Sequence, residues 1–220
     1  MSGPVISLGT VLVIAKQPRP GRVKTRLTPP CTPEQAAELA AAALTDTLLA
    51  AGTVRADQHV VALDGEPGDW LPAGWRVIPQ GGGGLDERLA AAFDAVRGDG
   101  PAVLIGMDTP QVTAAQLAVF DPGRHGASLG LAVDGGFWAI GFADPADAAR
   151  TIPGVPMSQA TTGPLQLARL RAAGLAVQLL DTLTDVDTVE TAEQVATAAP
   201  GTRFAMTWGE LDIRTNGEVA

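Results

Sequence analysis

The sequence predicts a single α/β domain with a mostly parallel sheet flanked by helices, and three observations carry that prediction. Short apolar runs alternate with helical stretches from one end of the chain to the other. The first of these runs is continuously apolar, as a strand buried on both faces requires. At 220 residues the chain is long enough for one substantial core and short for two. A domain over residues 1–200 is expected, followed by a C-terminal tail, 201–220, without firm pattern.

Residues 10–15 (TVLVIA) read as the first strand. After a basic loop, Thr32-Pro33-Glu34-Gln35 forms a helix start, with Thr32 as cap, Pro33 in the first turn and Gln35 reaching back. The Ala/Leu-rich helix runs to about residue 51 and stops before Gly52. Strands follow at 59–63 and 76–78, then a glycine run at 81–84 and a helix over 85–97. In that helix Leu85, Leu89, Ala92, Phe93 and Val96 share a face. A buried strand at 102–105 ends in Gly106-Met107-Asp108-Thr109-Pro110, and Thr113 with Gln116 opens a short helix. Strands at 128–132 and 137–142 flank Val133-Asp134-Gly135-Gly136. A helix over 162–173, a strand at 176–180 and a last helix to about residue 199 complete the pattern.

Composition sets limits on function. The chain carries a formal charge of −9, yet no acidic residue precedes Glu34. Lys16 and Lys24 are its only lysines, and residues 16–26 hold five of its fifteen basic side chains. An acidic protein with one local basic loop is a poor nucleic-acid binder, which needs an extended positive surface. It suits a small polyanion. No apolar string approaches the length of a membrane span, and no signal peptide is apparent, so a cytoplasmic protein is expected. The sequence specifies no oligomeric state.

The basic loop follows the first strand, so it should line the crevice beyond the strands' carboxyl ends, where open α/β sheets bind ligands. Gly21 lets backbone approach a ligand, and Pro18 and Pro20 restrict the loop. Lys24 and Arg26 can neutralise phosphate oxygens, Arg26 with two parallel hydrogen bonds. No GxxxxGK[ST] string occurs, and no GxGxxG follows the first strand. A polyphosphate ordinarily brings a divalent cation held by carboxylates. Asp108, Asp134, Asp185 and Asp187 all fall at strand ends, although Asp134 also fits a hairpin turn and Asp187 a helix cap with Glu190. Two histidines and one cysteine leave little material for a nucleophilic triad or a zinc site. Cys31 precedes a helix start, a position that can lower a thiol's pKa, but no histidine is near it in sequence.

Five strings occur in order: residues 16–27 (K-x-P-x-P-G-x-V-K-T-R-L), Gly84-Leu85-Asp86-Glu87-Arg88, Gly106-Met107-Asp108-Thr109-Pro110, Asp134-Gly135-Gly136-Phe137 and Asp185-Val186-Asp187-Thr188. Together they resemble the radical-SAM/selenodomain-associated transferases, a group of the nucleotide-diphospho-sugar transferase superfamily, over residues 10–199. The resemblance implies a Rossmann-like three-layer α/β/α sandwich of glycosyltransferase-A type with a mixed, mostly parallel sheet. It implies that Lys16, Lys24 and Arg26 face phosphates, that Asp108 and Asp187 hold metal, and that Gln80 and the glycines up to Gly84 touch base or ribose. The acceptor side would lie in the loops over 134–163, including Asp134, Gly135, Gly136 and Ser158. There the chain departs from the family pattern, with Leu131 for a proline, Phe137 for a tyrosine and Met157-Ser158 for Trp-Ser. Trp138 in this stretch either packs or stacks on a ligand.

The expected activity is a magnesium- or manganese-dependent transfer from a nucleotide donor to a small acceptor, with no nucleic-acid or membrane partner. The lysine-threonine-arginine of residues 24–26 also resembles phospholactate guanylyltransferase-type enzymes, and the acidic motif is a lone Asp108 where many glycosyltransferases carry Asp-x-Asp. Both features favour nucleotidyl transfer from a nucleoside triphosphate to a small anionic acceptor. Glycosyl transfer from a nucleotide-diphospho-sugar is the alternative, and a non-catalytic nucleotide-binding module the second. Lys24, Arg26 and Asp108 are the expected catalytic residues.

Overall fold

The computed structural model describes residues 7–211. Seven strands form one sheet: β1 (Leu8–Lys16), β2 (Ala56–Asp64), β3 (Arg76–Pro79), β4 (Ala102–Gly106), β5 (Ala127–Ala132), β6 (Phe137–Phe142) and β7 (Val177–Leu183). Their order is β3-β2-β1-β4-β6-β5-β7. Only β6 runs against its neighbours, pairing antiparallel with β4 and β5, so the sheet is mixed and mostly parallel as expected. The helices are α1 (Pro33–Gly52), α2 (Leu85–Asp94), α3 (Ala114–Leu117), α4 (Ala148–Thr151), α5 (Thr162–Ala172), α6 (Val189–Ala198) and α7 (Arg203–Glu210). Among the described residues no helix is long and apolar enough to cross a membrane.

Strand β1 shows how the layers form. Val11, Val13 and Ala15 point into a core shared with α1 residues such as Leu44 and Leu48. Leu12 and Ile14, on the other face, join Leu89 and Phe93 of α2. Both faces are covered, which is why the strand reads as an unbroken apolar run. A third cluster, around Leu39, Val195 and Phe204, joins α1 to α6 and α7.

Chain direction creates the site. From β1 the chain moves outward to β2 and β3, then returns to place β4 on β1's opposite side. The carboxyl ends of β1 and β4 therefore flank the switch point at which such sheets bind ligands.

Several boundaries differ from the sequence reading. Helix α2 ends at Asp94 because the last turn tightens, with Val96 N–H donating to Phe93 O. Strand β7 continues to Leu183, extended by pairing with β5. The expected tail from residue 201 instead begins with α7. Its first turn is capped by Thr202 and by Asp46 of α1, whose carboxylate accepts from Arg203 N–H at 3.1 Å and Phe204 N–H at 2.8 Å. Phe204 is buried and stacks on Trp208 with ring centres 6.4 Å apart. A short helix stabilised by a distant side chain leaves little local trace. The rest of the expected tail, 212–220, lies outside the described residues.

Candidate active site

A cleft of about 510 Å³ opens at the carboxyl ends of β1 and β4 and the amino end of the antiparallel β6. Of the side chains singled out in the sequence, Lys16, Lys24, Arg26, Gln80, Asp108, Asp134, Trp138, Ser158, Asp185 and Asp187 line it, together with Gly136. Gly21, Gly84 and Gly135 do not. Gly21 is an exposed turn residue with φ +71°, and Gly84 caps α2 through its N–H, which donates to Glu87 Oε2 at 2.9 Å. Gly135 shapes the neighbouring turn: at φ +91°, a Cβ there would stand 2.1 Å from Ala160 O.

The loop after β1 turns at Lys24, which adopts a left-handed conformation (φ 48°) ahead of the 3₁₀ turn Thr25–Leu27. That geometry carries its ammonium inward, where the side chain is 7% exposed and bonds to both Asp108 Oδ1 and Val186 O. Arg26, mostly exposed, pairs with Asp187 Oδ2. Val186 N–H donates to Asp108 O at 2.8 Å, so the β4 loop and the segment before α6 form one platform. Two of the three expected phosphate-binding cations, Lys24 and Arg26, thus rest on the two expected metal-binding carboxylates.

Asp187 is not the cap of α6. Thr188 is, with its side chain accepting from Thr191 N–H, while Thr191 Oγ1 accepts from Asp187 N–H at 2.9 Å. The carboxylate of Asp187 is therefore released to the cleft. Asp185 lies alongside, and its pKa is pushed up to about 6, first by burial and then by the charges of Asp134 and Asp108. Asp134 holds its own turn, with Oδ1 accepting from Gly136 N–H at 2.7 Å.

Gln80 is committed to the protein. Its Nε2 donates to Ala15 O at 2.7 Å and Ala62 O at 3.1 Å, and its Oε1 accepts from Arg88 Nη1 at 3.3 Å. Trp138 packs. It is buried, its Nε1 donates to Asp181 O at 2.9 Å, and its indole lies where a Cβ on Gly130 would stand 2.5 Å away. The Cys31 thiol is buried and its pKa is raised by that burial, the opposite of the shift its place before α1 suggested. His59 Nε2 lies 3.1 Å from Val54 O, and the ring tilts against Trp75 away from the cleft.

Arg22, Arg88 and Thr109 also line the cleft and were not singled out in the sequence. Arg88 carried two signals without being given a role: it ends the Gly84–Arg88 string, and it sits between Leu85 and Leu89 on the apolar face of α2. Among the described residues no group of three or more His, Cys, Asp or Glu side chains is clustered to hold a metal. Asp108 and Asp187 are a two-carboxylate set of the kind magnesium uses alongside phosphate oxygens. Burial is the larger cause of the raised Asp185 pKa, and the added repulsion from Asp134 and Asp108 marks a place where positive charge is favourable.

Fold and site define a Rossmann-like α/β domain of the glycosyltransferase-A type, the architecture of nucleotide-using transferases. A family model described as "Uncharacterized protein conserved in bacteria" (DUF2064) matches residues 35–159, more than half of the chain, and the protein belongs to that family. A Desulfovibrio desulfuricans G20 protein, provisionally named a nucleotide-diphospho-sugar transferase, shares 27% identity at TM-score 0.82, with 96% of this chain and 97% of that one covered. CMP:2-keto-3-deoxy-manno-octonic acid synthetase, solved with CTP, shares the fold at 14% identity and TM-score 0.55, covering 93% and 99%. So does Rv0371c of Mycobacterium tuberculosis H37Rv, solved with manganese, at 22% identity and TM-score 0.51, covering 84% and 96%. None of the curated proteins gives a match. These likenesses carry the transferase relation and not the radical-SAM association.

Proposed function

We propose that the protein is a divalent-metal-dependent transferase that takes a nucleotide donor, with nucleotidyl transfer from a nucleoside triphosphate as the first reading. The observation that carries it is the pairing of Lys24 with Asp108 and Arg26 with Asp187 at the switch point. A phosphate chain entering the cleft would draw the two cations off the carboxylates, and the freed Asp108 and Asp187 would be the residues to hold a magnesium or manganese ion. That ion would neutralise charge on the leaving phosphate. Lys16 and Arg22 add further positive charge on the same side. Four cations suit a triphosphate, whose leaving group is pyrophosphate.

Glycosyl transfer is supported by a different observation. The acceptor side, around Met157 and Ser158, contributes Asp134 and Asp185 to the lining and no cation. That surface suits a neutral, hydroxyl-bearing acceptor better than an anion. The name of the Desulfovibrio protein points the same way.

A thermal-shift screen of nucleoside triphosphates and nucleotide sugars, with and without magnesium or manganese, tests the proposal. A ligand at about 100 times its Kd stabilises the folded state by roughly 2.7 kcal/mol. Turnover assays then separate the reactions by product: pyrophosphate for nucleotidyl transfer, a nucleoside diphosphate for glycosyl transfer. Binding without turnover of any acceptor would leave a nucleotide-binding module. No stabilisation by any nucleotide would overturn the proposal.

A further inference from the structure

Arg88 is placed unlike the other cations of the cleft. It projects from the face of α2 that carries Leu89 and Ala92 into the core, and its side chain is 22% exposed. Its neighbours in the lining include Ile14, Leu89, Leu104 and Phe137, which belong to the core cluster on the α2 side of the sheet. Lys24, by contrast, sits among Val23, Met107 and Trp138 of the opposite cluster. The cleft therefore has a charged wall and, across the sheet, an apolar wall containing one guanidinium.

That guanidinium is only half used. Nη1 donates to Gln80 Oε1 at 3.3 Å and lies 4.0 Å from Asp64, a long contact to a largely exposed carboxylate. Nε is buried without a partner, and among the described residues Nη2 makes no hydrogen bond. An unpaired buried donor is costly, so an acceptor that reaches it gains more than its ordinary hydrogen-bond energy. Gln80 cannot swivel to serve, because both its amide hydrogens are held by the strand-end carbonyls of Ala15 and Ala62. Gln80 thus holds one side of Arg88, and Nε and Nη2 remain unpaired.

We infer that Arg88 is the specificity residue for the nucleobase of the donor, reading through its Nε–Nη2 edge a ring edge with two adjacent acceptors, while Gln80 positions it. This rests on the nucleotide-donor reading above. A flat ring suits the apolar wall, and a planar fork matches two acceptors side by side. Guanine offers O6 with N7, and cytosine offers O2 with N3. Uracil carries a donor at N3, and adenine sets a donor amine beside each candidate ring nitrogen, so both are poorer partners.

The test is calorimetric titration with CDP, GDP, ADP and UDP in magnesium, with inorganic pyrophosphate as the phosphate-only probe. Diphosphates are common to both donor types, so the outcome does not depend on which transfer occurs. Wild type should bind CDP or GDP roughly tenfold or more tighter than UDP and ADP. Arg88→Lys, which keeps the charge and loses the fork, should remove that preference and leave pyrophosphate affinity within about twofold. Arg88→Ala should do the same, and circular dichroism on both variants verifies folding. The inference is overturned if wild type binds all four diphosphates alike, or if pyrophosphate affinity falls in parallel with nucleotide affinity. Pyrophosphate binding without base preference would sink this inference alone; binding of none of the five would sink the donor reading with it.

Discussion

The Lys24 ammonium bonds to the Asp108 carboxylate across 84 positions of sequence, from the loop after β1 to the end of β4. The two members of the pair are unequally placed, since Lys24 is 7% exposed and Asp108 47%. The ammonium depends on this partner and on Val186 O, whereas the carboxylate has water as an alternative.

Asp108→Ala should therefore destabilise the protein more than Lys24→Ala does. Removing the carboxylate strands a buried ammonium, at a cost of about 1–3 kcal/mol. Removing the ammonium leaves a half-exposed carboxylate and should cost less. Urea denaturation of both variants measures the order, and the reverse order would refute the account of burial. In the proposed reaction each variant should lose roughly 10²- to 10³-fold in kcat.

Asp185 should make stability pH-dependent in the metal-free protein. Its folded pKa, about 6, stands above the unfolded value of 3.8. The folded state thus binds the extra proton between those values. The resulting stability is fully present below about pH 4 and is lost as pH rises through 6. Asp185→Asn should then be more stable than wild type at pH 8 by about 1–2 kcal/mol, after discounting the shift for partial exposure. The two proteins should converge near pH 4. Chemical melts in EDTA across this range check it, and a constant difference would be the wrong result.

Asp46→Ala should loosen α7 selectively. The substitution leaves the N–H groups of Arg203 and Phe204 without their acceptor, a loss of about 1 kcal/mol. Hydrogen exchange should quicken in α7 before it does in β1. Uniform exchange across both elements would contradict this.

Gly135→Ala should disturb the acceptor side of the cleft. A φ of +91° costs an alanine about 1–3 kcal/mol, and its Cβ would meet Ala160 O at 2.1 Å. Because Gly163 N–H donates to Gly135 O at 2.8 Å, the start of α5 must shift with the turn. A melting temperature equal to wild type would refute the clash.

Much of the fold was legible because burial writes itself into short runs. After Thr10, the VLVIA string of β1 is apolar throughout because helices cover both its faces, and the Thr32–Gln35 capping box is complete within four residues. Helix α7 was illegible for the converse reason, since a side chain on α1 caps it. Among site residues, the loop cations stood out by composition, and the structure brings them to the cleft. Asp187 looked equally like a helix cap, and only the position of Thr188 as the actual cap released it. Arg88 was hidden inside an amphipathic pattern, where one arginine among leucines resembles ordinary helix chemistry.

The sequence by itself determined a nearly continuous set of strands and helices, a basic loop after the first strand and aspartates at later strand ends. These are local properties, set by periodicity, capping and composition. The tertiary structure decided the pairing of Lys24 with Asp108 and Arg26 with Asp187, the commitment of Gln80 to backbone, and the unpaired edge of Arg88. Those depend on which strand ends meet at the switch point, and the crossover from β3 back to β4 sets that meeting.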